Sequence, residues 1–256
     1  MALLTDGNPN DTAALRVYES AILDVAHVEM IDLQVKLGLS TEEISEDVLD
    51  ILLDHTRTSD PQAVVRRAVG VTDVVVTPQL KRWQAVHTLE IVYRDAFNNQ
   101  LNDRYQAKFQ EYRELSRNAR EHTLRFGIGI ALSPIPKAQT PTLSFVAGLL
   151  PATTYYVQVS WLNALGQEGA ASDLTTLDSP AGSLPVVQAV NPPANATGWN
   201  VFVGLTDLTL MQQNNAPLGV GGSFTLAGAG VVAGRTPGNG QIPDVYIVGG
   251  PLLRRG

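Results

Sequence analysis

Up to about Phe126 the apolar residues return every three or four positions, and past Gly127 they come in short alternating runs. The first period belongs to helices and the second to strands. Leu15, Tyr18, Ile22, Val25 and Leu33 share one helical stripe with Glu29, while Asp24 and Asp32 lie off it. This predicts a first helix that opens at Asn10 or Asp11, whose side chains can cap free amides, and runs toward Leu37 before Gly38. Ser40-Thr41-Glu42-Glu43 reads as a capping box, which predicts a second helix from Thr41 to about His55 burying Ile44, Val48, Ile51 and Leu52.

A polar connection from Thr56 to Pro61 leads through Val64 and Val65 to an apolar run, Val71 to Val76, which fits one short strand or an extended crossover. Thr77-Pro78 is a helix start, a capping hydroxyl followed by proline where its missing amide costs nothing. From Leu80 through Trp83, Val86, Leu89, Tyr93, Phe97, Leu101, Tyr105, Phe109, Tyr112 and Leu115 the steps stay at three or four. Unbroken to Arg125, this helix is a rod of roughly 70 Å, which calls for cover by other copies. Asn98-Asn99 marks the place where it kinks, or breaks and folds back as a hairpin. Tryptophan and tyrosines interleave here with Arg82, Arg94, Arg104, Arg113 and Arg117, residue types common at protein interfaces; the alternative makes the aromatics core and the arginines a solvated face.

Seven short runs follow: Ile128 to Leu132, Leu143 to Val146, Tyr155 to Leu162, Val186 to Val190, Trp199 to Val203, Ser223 to Leu226 and Val245 to Val248. That number fits an immunoglobulin-like sandwich. The stretch Leu150-Pro151-Ala152-Thr153-Thr154-Tyr155-Tyr156-Val157-Gln158-Val159, with the turn at Asn163 and Gly166 and then Ser172, resembles the tyrosine-corner strand of fibronectin type III domains. Trp161 and Trp199 sit in strand runs, where core is the simpler assignment and an apolar binding platform the other.

Composition draws the same seam. Residues 1–126 hold three of the 22 glycines and three of the 15 prolines; the remainder holds the other 19 and 12. The fold class expected is therefore α+β in separate domains: an N-terminal all-α helical bundle with a long helix over 1–126, and a C-terminal all-β sandwich of immunoglobulin or fibronectin III type, with a tail, over 127–256. Charge is uneven. Residues 1–60 carry 13 acids against three bases, 61–126 seven against eleven, and the rest five against four, for a net −7. Opposite fields on consecutive helices can pair within a bundle or between copies, and the acidic sum argues against a dedicated nucleic-acid binder.

The sequence holds no cysteine, so disulfides, thiolate metal sites and cysteine nucleophiles are excluded. His27, His55, His87 and His122 lack the i, i+4 partner of a zinc helix. Gly228-x-Gly230-x-x-x-Gly234 leads to Pro237 and not to a helix, so it forms no phosphate loop. The acids at Glu42-Glu43 and Glu46-Asp47 lack calcium-loop spacing and read as first-turn acids. No Gly-x-Ser-x-Gly elbow occurs. Neither catalytic residues nor a cofactor or metal site is expected, and neither a signal peptide nor a membrane-spanning stretch is read from the chain.

Val75-Val76-Thr77-Pro78-Gln79-Leu80-Lys81-Arg82-Trp83, then Leu89 to Asp95, Asn102-Asp103-Arg104-Tyr105 and Lys108 to Tyr112, resemble the helical core of tailed-bacteriophage head-to-tail adaptor (neck or connector) proteins. Gly198-Trp199-Asn200-Val201-Phe202-Val203-Gly204, Gln213 to Leu218 and Gly222 to Thr225 are similar to Ig-like modules appended to virion proteins. The resemblance implies a structural virion protein made in host cytoplasm and located in the neck. Its copies would form a homo-oligomeric ring, a dodecamer, beneath the portal protein, joined to tail or nozzle proteins, with genomic DNA passing through unread and no membrane involved. The candidate subunit or portal interface is Arg82, Trp83, Arg94, Tyr105 and Tyr112, with Leu252, Leu253 and Arg254 in the terminal extension. The alternative function is a tail, fibre or baseplate component whose sandwich binds a host-surface glycan or protein.

Overall fold

A computed structural model of the chain describes residues 2–57, 68–100 and 103–248. In chain order the elements are α1 (Thr12–Tyr18), α2 (Ile22–Val28), α3 (Leu33–Arg57), α4 (Pro78–Gln100), α5 (Gln106–Phe126), β1 (Ile128–Ile130), β2 (Thr142–Leu150), β3 (Thr153–Asn163), β4 (Thr175–Ser179), β5 (Ser183–Gln188), β6 (Ala196–Gly204), β7 (Met211–Gln212), β8 (Phe224–Thr225) and β9 (Val245–Ile247). Helices thus precede antiparallel strands. Two compact units result: a helical one from the described residues of Gly7–Leu132 and Pro243–Gly256, and a β one from those of Met1–Asp6 and Ser133–Ile242.

The helix starting at Asp11 begins where its sequence places it, with Asp11 Oδ1 accepting from Ala14 N at 2.7 Å. It does not run on to Leu37. α1 stops at Tyr18, with Glu19 extended. α2 closes on a left-handed Met30, φ 55°. Ile31 N reaches Ala26 O at 2.8 Å and Met30 N reaches His27 O at 3.4 Å, the two bonds of a Schellman cap, with methionine where glycine is usual. Asp32 then opens α3 by accepting from Gln34 N at 2.8 Å and Val35 N at 3.3 Å.

The capping box at Ser40 is absent. α3 passes straight through Gly38 and Ser40, because the buried stripe Leu33, Leu37, Ile44, Val48 and Leu52 continues across them. Ser40 Oγ donates instead to Gln84 O at 3.2 Å. The run from Val71 contains a short 3-10 turn, after which Val74 bridges Ile130. Val64, Val65 and most of the polar connection lie outside the described residues.

Thr77-Pro78 starts α4, with Leu80 N donating to Thr77 Oγ1 at 3.3 Å. The rod is not continuous: α4 ends at Gln100, and α5 packs against it as the other arm of a hairpin. Tyr93 stacks on Tyr112 (centroids 5.4 Å apart) and Phe97 on Phe109 (6.5 Å), an antiparallel pairing in which residue numbers rise on one arm as they fall on the other. α1 and α3 also pack on α4, which is buried on several faces through Leu80, Trp83, Ala85, Val86, Leu89, Ile91, Val92 and Ala96. The chain itself therefore covers the helix that the sequence offered to sister subunits.

Two of the seven apolar runs counted for a sandwich belong to the helical unit. β1 pairs with β9, Ile128 opposite Ile247 and Ile130 opposite Val245. Gly129 permits this close packing, since a Cβ there would lie 2.6 Å from Pro243 Cγ and 3.0 Å from Thr77 Cγ2. β4 and β7, too polar or too short to stand out in the sequence, complete the β unit: one sheet ordered β2-β5-β8, the other β4-β3-β6-β7.

Every second residue of β3 (Tyr155, Val157, Val159, Trp161) and of β6 (Trp199, Val201, Val203) enters one core with Val187 of β5 and Leu226. Trp161 lies directly opposite Trp199 across the strand pair. Gly166 takes φ +73° in the turn after β3, where Asn163 Oδ1 accepts from Leu165 N and Gln167 N, both at 3.0 Å. Ser172 Oγ accepts from Val159 N at 3.1 Å.

Candidate interaction surface

The interface candidates separate by burial. Trp83 is 2% exposed, and Tyr105 and Tyr112 are also interior, so their rings are spent in the helical core. Arg82 is on the surface beside Gln79, Asn118 and His122. Arg94 is half-buried, its Nε 3.8 Å from Asp95 Oδ1. Leu252, Leu253 and Arg254 lie outside the described residues. Trp161 and Trp199 are fully buried, so neither offers a platform.

Beneath the surface, ionisable groups join the helices. The break after α1 leaves Glu19 facing α5, where it accepts from Tyr112 Oη at 3.0 Å and Lys108 Nζ at 2.9 Å. Burial alone would raise this carboxyl, but Lys108 and Tyr112 outweigh that and hold it below 4.5. Burial first, and then Glu19, push the Tyr112 hydroxyl well above its usual range, so it stays a donor.

His87 on α4 joins three helices. Its Nε2 is 2.7 Å from Glu43 Oε2 of α3, and its Nδ1 is 3.1 Å from Glu90 Oε2 and 3.2 Å from Ser116 Oγ of α5. Burial would lower the imidazole pKa, yet hydrogen bonds to Glu90 and Glu43 raise it above 6.5. Glu90 moves the other way, since its bonds to His87 and Ser116 exceed the effect of burial and keep it below 4.5. When protonated, His87 can donate from one ring nitrogen to Glu43 and from the other to Glu90, which makes it a charged tie. Among the described residues no group of His, Cys, Asp and Glu is arranged to hold a metal ion.

This cluster was only half legible. His87 and Glu90 sit one turn apart on the same helix face, a local signal. Glu43, in contrast, belongs to a cap when read in sequence, and only the unbroken course of α3 turns it toward α4. Outside the tie, Arg120 makes a two-pronged contact with Asp47 of α3, Nε to Oδ2 at 2.8 Å and Nη2 to Oδ1 at 3.1 Å. Arg113 and Arg117 continue the row of Arg120 along α5 around an open groove of ≈530 Å³. Arg82, Arg113 and Arg117 are thus exposed cations of the hairpin, as are Lys81, Arg104 and Arg125.

No helix of the described residues is long and apolar enough to cross a membrane. Comparison with models of known protein families finds no match, and comparison with curated proteins finds none either.

Proposed function

We propose that this chain is a non-enzymatic structural virion protein, a head-to-tail adaptor whose copies form a ring beneath the portal around the DNA exit channel. The observation that carries the reading is the company kept by the adaptor-like stretches. Val75 to Trp83, Leu89 to Asp95 and Lys108 to Tyr112 form one body, the entry to α4 and the two arms of the hairpin. The rod gives the reading no support, because α5 folds back on α4; what supports oligomerisation is the exposed charge on α3 and α5. The β unit, with its sheets of three and four strands, is read as an Ig-like or fibronectin III-like module on the outside of the neck. Mixing the purified full chain with portal protein and imaging the product tests this. Rings seated on portal are expected, and a chain that never binds portal overturns the assignment.

One observation favours the second reading, a tail, fibre or baseplate component recognising a host-surface glycan or protein. β2 is an edge strand of nine residues without charge or proline, and Phe145, Val146 and Leu149 (93% exposed) face solvent. Uncovered apolar edges of this kind accept added strands or apolar partners. Binding of the full chain to host cells that is lost on Val146→Lys would favour this role over the neck.

A further inference from the structure

α3 shows the core one face, through Leu37, Ile44, Val48 and Leu52. On the opposite face lie two helical rows that share Glu46, one of Glu42, Glu46 and Asp50 and one of Glu46, Leu49 and Leu53, and all five residues are exposed. Among the described residues Glu42, Glu46 and Asp50 have no hydrogen-bond or ion-pair partner through their side chains. Like charges one turn apart destabilise the helix that carries them, so the row costs the isolated chain stability. On α5, Arg113 and Arg117 are exposed one turn apart and are likewise unpaired among the described residues. They line the groove of ≈530 Å³ together with Arg120, which Asp47 already holds, with Glu90, which is turned to His87, and with Glu114.

We propose that the outer face of α3 in one copy docks on the arginine groove of α5 in a second copy, with Glu46 and Asp50 taking Arg113 and Arg117. This inference rests on the ring reading above for its expectation of identical neighbours, and names the faces by which they meet. A second copy is the occupant because the two rows are complementary in charge and in spacing, one turn of helix in each. The Asp47–Arg120 contact already joins the same two helices by the same chemistry within a chain. Arginine also suits the two leucines, since its aliphatic stem can cover Leu49 and Leu53 while the guanidinium meets the acids. The faces differ, so after one pairing the first copy still has its groove free and the second its α3 face. Such a contact is head-to-tail and closes into a ring or extends as a filament.

The test uses the purified full chain without portal, with mass followed by light scattering and sedimentation. Wild type is expected to self-associate at about 0.1 M salt and to dissociate toward about 1 M, as the screening length falls from about 10 Å to about 3 Å. Glu46→Arg/Asp50→Arg and Arg113→Glu/Arg117→Glu should each weaken association about tenfold or more, with unchanged circular dichroism. Mixing the two variants should restore it, because each swapped face then meets its complement. Three results overturn the proposal: a wild type monomeric at every concentration, variants that assemble as wild type does, or a mixture that fails to recover. An arginine row that retains duplex DNA while the chain stays monomeric overturns it as well. In each of those cases portal binding can persist, so failure here is distinguishable from failure of the adaptor assignment.

Discussion

Two sets of buried polar ties, one in each unit, are built from different chemistry. In the helical unit, helices are joined by groups that titrate: His87 with Glu43 and Glu90, and Glu19 with Tyr112 and Lys108. In the β unit, neutral amides satisfy loop backbone. Asn214 accepts from Val201 N at 3.0 Å and donates to Ala216 O at 2.9 Å, while Gln241 accepts from Ile135 N at 2.6 Å and donates to Ser133 O at 3.0 Å. The difference follows from backbone economy. Helices satisfy most of their own amides, so among backbone groups Ser40 and Gln84 find only carbonyls to donate to across α3 and α4, whereas backbone between strands leaves groups that an amide can both give to and take from. The lesson is that pH reaches the helical unit through His87 and Glu90, and amide deletion reaches the β unit through Asn214 and Gln241.

The largest expected effect sets the two cores apart. Trp199→Ala should cost the β unit about 3–5 kcal/mol, because a fully buried indole is lost from the shared core along with its Nε1–H bond to Gly219 O at 3.0 Å. Trp83→Ala should cost the helical unit a similar amount. Denaturant unfolding followed by helical circular dichroism should report the second change and not the first; equal response to both would erase the distinction.

Asn214→Ala comes next, at about 1–3 kcal/mol, since it leaves buried backbone groups without partners. This loss should be independent of pH across the neutral range, and thermal unfolding at several pH values checks it. The His87 tie gives the opposite profile. With its pKa raised above 6.5 in the folded chain, its contribution is fully present below that value and is lost as pH climbs through the folded one. The contribution of Glu90, lowered below 4.5, is present above that value and disappears as pH falls through its folded pKa. The helical unit should therefore gain most from this tie between about pH 4.5 and 6.5. His87→Gln should remove about 1 kcal/mol there and flatten the alkaline limb, as urea titrations would show.

The smallest effect is a gain. Nothing lies within 4 Å of a Cβ placed on Gly38, in mid-helix. Gly38→Ala should stabilise α3 by about 0.5–1 kcal/mol, visible as a higher melting temperature of the helical signal alone. A loss would mean that this glycine serves a partner.

What could be read from the chain depended on how local the cause was. Asp11 and Thr77-Pro78 act within one turn, and both helix starts are where those residues predict. The Met30 cap is not legible locally because methionine carries no left-handed signature, although Asp32, two residues on, is an N-cap signal. Gly38 and Ser40 carry strong stop and start signals that a continuous buried stripe overrides. Of the surface candidates, the arginines stand out by type, while the apolar stripe that holds Trp83, Tyr105 and Tyr112 fits both core and interface, and only the folded hairpin selects core.

By itself the sequence determined the order of helices before strands, the alternating core of β3 and β6, and the unequal charge of α3 and α5, since periodicity and composition act over a few residues. Tertiary structure decided that α4 and α5 fold back on each other, that β1 pairs with β9 among the helices, and that Glu43 meets His87. Those contacts join positions far apart in the chain, and their free energy comes from burial and charge pairing that exist only once distant segments have met.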